Sequence, residues 1–262
     1  MTKYFLFLML VILFCSLKTN IENYKNNINI VFSINIYRNT NNWIYKQLNN
    51  IEEYVKVPYI VILHSSVDLY EELIKDNILR NNSKIFINND HSNKKRFTGS
   101  ILRGICMNMQ YTLSNFMFDY FIILSQRTFF YKIFDDKIIS KLKKGYYSSP
   151  KNNWFKTNYK NTKLYKLLKS KKKNRSIKIS TSPHEGLLLT KKMVIFIDNF
   201  FKEHRDIKND LYNFKEPVEE FGIQTLLKTY NYNYNLIGIP TVKTTKKNLE
   251  NLDYLTHKID YK

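Results

Sequence analysis

The strongest constraint on the fold is a run of short, β-branched apolar segments separated by helical stretches between residues 28 and 124. Residues 28–37 read INIVFSINIY, and residues 58–66 read PYIVILHSS. Residues 84–88 (KIFIN) and 118–124 (FDYFIIL) are of the same kind. Each is too short for a helix and too uniformly apolar for a half-exposed strand, so each is predicted as a buried strand. Between them, residues 43–54, 69–79 and 100–113 carry apolar side chains at helical spacing. Strand and helix in alternation signify βαβ units and a mostly parallel sheet covered on both faces. The expected class is therefore α/β, Rossmann-like, with a parallel central sheet flanked by helices.

In such sheets ligands gather at the carboxyl ends of the strands. Here those ends carry His64-Ser65-Ser66, Asn88-Asn89-Asp90 and Ser125-Gln126-Arg127. Asp135-Asp136 opens a further helical run and is read as an N-terminal helix signal. Beyond it, residues 185–201 read as a strand passing into a helix, and residues 220–230 as a short helix.

The boundaries follow from composition. Residues 4–17 are apolar with Lys3 before and Lys18 after, too short for a comfortable span of about 20 residues. They suit a signal or short anchor segment. Residues 1–20 are accordingly assigned to targeting, 21–27 to a linker, 28–240 to the folded domain and 241–262 to a basic tail. The expected location is membrane-associated through that segment, in the secretory pathway or cell envelope.

The formal net charge of +20 raises the question of nucleic acid. Only seven of the 42 basic residues are Arg, whereas readers of base edges favour the Arg fork. Lys, Asn, Ile and Tyr are all abundant, as AT-rich coding produces, so most of the charge is read as a solvated surface. The Lys-rich stretch 141–178, with Trp154, Phe155, Tyr159 and Tyr165 interleaved, is read as a surface excursion with an amphipathic helix near residues 164–168. The two cysteines, Cys15 and Cys106, give neither a metal spacing nor a disulfide framework.

No glycine-rich phosphate loop, nucleophile elbow, H-E-x-x-H or D-x-D occurs. His64 and His184 are isolated and are read as structural. The chemistry is legible instead in four ordered passages. Thr98-Gly99-Ser100 opens a helix. Asp119-Tyr120-Phe121-Ile122 then runs into Leu124-Ser125. Residues 182–197 (SPHEGLLLTKKMVIFI) lead into a second helix, and residues 217–227 read PVEEFGIQTLL. Together these resemble the core-2/I-branching β-1,6-N-acetylglucosaminyltransferase family over roughly residues 28–230. The sequence departs from that family after Ser125, where Gln126-Arg127-Thr128 replaces the family's Gly, acid and Pro region. It departs again at the end of the second strand, where His64-Ser65-Ser66 stands for His-x-Asp.

The resemblance implies a GT-A type fold and an inverting transfer from a nucleotide-sugar donor to a hydroxyl of a glycan or glycoprotein, without a metal. UDP-N-acetylglucosamine is the donor it suggests. It also implies that Glu220 is the general base; should Glu220 face bulk solvent instead, Glu185 is the next candidate. His64, Ser65, Ser125, Gln126 and Arg127 are expected around the donor. Lys243 and Lys246, chosen by location, are expected to face its diphosphate with Arg127, since without a metal a cation must stabilise the leaving group. Two rivals stay open: a degenerate transferase fold that binds glycans or partners, and a basic nucleic-acid-binding protein.

Overall fold

The computed structural model describes residues 30–37, 41–94, 98–143, 158–171, 184–232, 237–238, 241–243 and 256–258. Its main sheet follows the chain order strand, helix, strand. Strand β1 (Ile30–Ile36) is followed by helix α1 (Asn41–Tyr54) and β2 (Tyr59–Ser65). Helices α2 (Val67–Lys75) and α3 (Asn77–Asn81) lead to β3 (Ile85–Ile87), and α4 (Gly99–Asn115) leads to β4 (Tyr120–Ser125). All four strands run parallel, with Ile30 opposite both Tyr59 and Tyr120.

Strand β5 (Thr128–Phe130) and helix α5 (Asp136–Lys143) come next. A 3-10 turn (Asn158–Asn161), α6 (Lys163–Lys171), β6 (Leu187–Thr190), α7 (Lys191–Glu203), α8 (Arg205–Tyr212) and α9 (Gly222–Thr229) follow. The last elements are β7 (Ile237–Gly238), β8 (Thr241–Lys243) and β9 (Thr256–Lys258). The main sheet has the order β3-β2-β1-β4-β6-β7, and a small second sheet has the order β5-β9-β8. Strand β6 is antiparallel to β4, and β7 to β6. The chain is thus α/β with a mostly parallel, helix-flanked sheet, a Rossmann-like arrangement.

Parallel strands need cover on both faces, and two cores supply it. Alternation along β1 sends Ile30, Phe32, Ile34 and Ile36 into one core, shared with Ile44 and Ile51 of α1 and Leu69 and Leu73 of α2. Val31 goes to the other, with Leu102, Ile105 and Met109 of α4 and Val194 and Ile197 of α7. Ser33 and Asn35 lie in the same alternation as Val31. Asn108 of α4 meets them, its Nδ2 donating to Ser33 Oγ (2.9 Å) and to the Ile62 carbonyl (3.2 Å). Asn88 Nδ2 donates in turn to Asn108 Oδ1 (3.0 Å), so this buried polar thread is internally satisfied.

Residues 69–79, expected as one helix, are two. Asp76 interrupts them by accepting from the amides of Ile78 (2.9 Å) and Leu79 (3.1 Å), an N-cap that starts α3. Asp135 acts as expected, its Oδ1 accepting from the Ile138 amide at 3.1 Å. In the Lys-rich stretch, α6 packs Leu164 and Leu168 into the core and leaves its lysines outward, as its amphipathic spacing predicts. Residues 241–243 and 256–258, expected within a basic tail, pair in the second sheet, where β9 lies against β5.

Among the described residues no helix is long and apolar enough to cross a membrane. On that finding the membrane partner and the membrane-associated location expected from the N-terminal segment are corrected. Residues 1–20, on which that expectation fell, lie outside the described residues, as does the linker 21–27.

Candidate active site at the carboxyl edge of the sheet

The order β3-β2-β1-β4 reverses direction between β1 and β4, since the chain leaves β1 for β2 on one side and returns to β4 on the other. Such a switch point opens a crevice at the strands' carboxyl ends. Gln126 clasps it: its side chain is buried, and its Oε1 accepts from the Tyr37 amide just past β1, at 3.4 Å. Ser125 serves the turn into β5. Its amide donates to Thr128 Oγ1 (3.2 Å), and its Oγ accepts from the Arg127 amide (3.4 Å). Gln47 of α1 braces the same turn, donating to the carbonyls of Ser125 (2.7 Å) and Thr128 (2.9 Å). Strand-end residues expected around a donor are therefore also the residues that shape the crevice wall. Arg127 is partly exposed beside them.

At the end of β2, His64 is fully buried on the α4 side. Its Nε2 donates to Asp90 Oδ1 at 3.2 Å, and Arg103 Nη2 approaches the same oxygen at 3.6 Å. Burial lowers the His64 pKa from 6.5 to about 4, against the opposing pull of Asp90. The ring is thus neutral at pH 7. Asp90 is held below the ordinary carboxylate value, first by the His64 hydrogen bond. Ser65, on the opposite face of β2, is fully buried, and its carbonyl accepts from the Ser92 amide at 3.3 Å.

Lys94 completes this corner, and sequence reasoning missed it. Its Nζ donates to Asn35 Oδ1 (2.7 Å) and to the His64 carbonyl (2.8 Å), so it bridges the ends of β1 and β2. Desolvation pulls its pKa well below the ordinary lysine value, partly offset by Asp90. Helix α4 comes this close because residue 104 is Gly; a Cβ there would overlap Asn35 Oδ1. The available signal was the basic triplet Lys94-Lys95-Arg96 placed between a strand end and the Thr98-Gly99-Ser100 helix start.

A second cluster stands beside β4. Strand β6 runs antiparallel to it with Leu187 opposite Ile123, so residues 184–186 fall next to the end of β4. The Gly186 amide donates to the Ile123 carbonyl at 2.6 Å, and the Leu187 amide to the His184 carbonyl at 3.1 Å. That tight turn needs the positive φ of 78° at Gly186, which glycine adopts without strain. The turn presents His184 and Glu185 to Glu219 and Glu220, which lead into α9. His184 Nδ1 lies 3.6 Å from Glu185 Oε2 and 3.9 Å from Glu219 Oε1. Ligand atoms of His184, Glu185 and Glu220 all lie within 4.8 Å of one another. All four residues are at most 9 % exposed.

The structure thus puts Glu220 in a buried acidic group at the same edge of the sheet as Ser125 and His64. It brings Glu185, the alternative base, together with His184 beside Glu220, although both lie 35 residues or more before it in sequence and carry no spacing signal. Lys243 stands on β8, whose strand partner β9 pairs with β5 directly after Arg127; Lys246 lies outside the described residues. No family model matches the chain, and no curated protein matches it.

Proposed function

We propose that the chain is a nucleotide-sugar-dependent glycosyltransferase of GT-A type. In this reading the donor lies in the crevice at the β1/β4 switch point, and Glu220 takes the proton from an acceptor hydroxyl. The observation that carries it is the placement of Glu220 beside the carboxyl end of β4, in a group built from two separate chain segments. A general base has to be within hydrogen-bond reach of the proton it takes, and it contributes typically 10²–10⁴-fold. The ordered passages around residues 98–100, 119–125, 182–197 and 217–227 support the same reading by their resemblance to the core-2/I-branching transferases.

Inverting transfer requires the acceptor oxygen to attack the anomeric carbon as the nucleoside diphosphate departs. The proton goes to Glu220, and the charge that develops on the diphosphate has to be met by fixed positive groups. Arg127, directly after the end of β4, is the described cation placed for this. The donor class is a nucleoside diphosphate sugar, with UDP-N-acetylglucosamine as the form the resemblance suggests.

The test is release of nucleoside diphosphate from a panel of donors, in the presence and absence of simple glycan acceptors and with a chelator present throughout. Acceptor-dependent release is the expected result. Release from no donor under any acceptor condition overturns the reading.

A further inference from the structure

We infer that His184, Glu185 and Glu220 form a binding site for a divalent transition-metal ion, and that an ion bound there holds Glu220 away from acceptor chemistry. The three side chains offer one imidazole nitrogen and two carboxylate oxygens, mutually within 4.8 Å. The 3.6 Å between His184 Nδ1 and Glu185 Oε2 is close to the separation of neighbouring ligands around an ion bound at about 2.0–2.2 Å. The cluster closes on such an ion with small side-chain movements.

Electrostatics favours the same occupant. Glu185, Glu219 and Glu220 gather around a single imidazole and are at most 9 % exposed. Carboxylates crowded where water is scarce repel one another strongly, and a doubly charged ion among them reverses the sign of that interaction. Glu219, buried 3.9 Å from His184 Nδ1, adds negative charge without being one of the three ligands. The scaffold is rigid on each side: the Gly186 turn pins His184 and Glu185 to β4, and buried Val218 and Phe221 flank the two glutamates at the start of α9.

The donor set also selects the ion. An imidazole nitrogen with two carboxylates suits Zn²⁺, Mn²⁺ or Fe²⁺ better than Mg²⁺ or Ca²⁺, which favour all-oxygen shells. Among these the affinity order places Zn²⁺ above Mn²⁺. A carboxylate ligated to Zn²⁺ has lost the basicity that proton abstraction needs. The ion is therefore an inhibitor of transfer, and the empty cluster is the active form. This last step rests on Glu220 being the base; the site itself does not.

The experiment uses the full chain in two arms. In the first, equilibrium dialysis with Zn²⁺ and Mg²⁺ is read on the wild-type protein and on His184→Gln and Glu185→Gln, with cooperative thermal unfolding as the check on folding. One equivalent of Zn²⁺ should bind, with Mg²⁺ far weaker. Loss of one ligand should weaken Zn²⁺ by at least the tenfold that loss of a mere outer-shell partner costs, roughly 10–100-fold. Ring NMR of the wild-type histidines gives the same answer without a variant, since Zn²⁺ should shift the His184 ring. A wild-type protein that takes up no Zn²⁺, or binding that survives both substitutions in folded protein, overturns the site. So does a His184 ring that stays unshifted by bound Zn²⁺. In the second arm, Zn²⁺ should suppress nucleoside diphosphate release, and a chelator should restore it. Zn²⁺ binding without any release from any donor leaves the site standing and removes the transferase reading. Release with no Zn²⁺ uptake does the reverse, and release unaffected by bound Zn²⁺ overturns the inhibitory role.

Discussion

Glu219 and Glu220 are adjacent, both buried, and expected to behave differently. Glu220→Gln keeps the side chain's size and removes its basicity, so transfer should fall by about 10² or more while nucleotide binding persists. Glu219→Gln should cost transfer much less. Steady-state rates on the two variants check this, and equal losses would show that charge in the cluster, not a base at 220, is what matters. His64 gives a prediction of a different kind. Its folded pKa of about 4 lies below the ordinary 6.5, so the unfolded chain binds the extra proton between those values. Stability from this residue is complete above pH 6.5 and declines as pH falls toward 4, by an amount on the order of 3 kcal/mol. Asp90, held low by the same hydrogen bond, contributes its own loss only at lower pH, below the ordinary carboxylate value. Chemical denaturation across pH 4–7 should show the slope in wild type and a shallower one in His64→Gln. The sequence marked His64 as a structural residue at a strand end. That much agrees with its burial against α4. Its partner Asp90 was legible only as one of three polar residues after β3.

At the scale of elements, α4 meets α8 backbone to backbone at Gly99. Its amide donates to the Phe214 carbonyl at 2.9 Å, and a Cβ there would overlap the Leu211 carbonyl oxygen. Gly99→Ala must push the end of α8 off the start of α4, and overpacking of this kind costs about 1–3 kcal/mol. Gly222 at the start of α9 is the control. A Cβ there meets only Leu102 Cδ2 at 3.8 Å, so Gly222→Ala should be neutral or stabilise by up to about 1 kcal/mol through helix propensity. Urea unfolding of the pair checks both signs. The main strands and most helices were readable because continuous apolar runs and the 3.6 period are local signals. Helix α8 was not, because Arg205–Tyr212 buries only Ile207 and Leu211 and is otherwise polar. Strand β5 was missed for the opposite reason. Thr128–Phe130 looks like a loop in sequence and becomes a strand by pairing with β9, more than 120 residues later.

For the molecule as a whole, parallel strands with helices on both faces place every strand end of β1 to β4 on one edge, and that edge collects the polar residues. The sequence could point to the edge through His64, Ser125 and Glu220. It could not show that His184 and Glu185 join Glu220, because their meeting depends on the antiparallel register of β6 against β4 and on the turn at Gly186. Nor could it show Lys94 bridging the ends of β1 and β2, since a lysine in a basic triplet gives no sign of being drawn inward. The resemblance to metal-free transferases and the His-Glu-Glu cluster lead to one consistent expectation, that transfer survives a chelator and is depressed by Zn²⁺. The central claim is that the crevice at this edge receives a nucleoside diphosphate sugar. Thermal unfolding of the full chain with a panel of such donors tests it most directly. A true donor at 100 times its Kd should stabilise the fold by about 2.7 kcal/mol and raise the unfolding midpoint, while the matching nucleoside alone raises it less. A panel in which no nucleoside diphosphate sugar moves the midpoint would contradict the account.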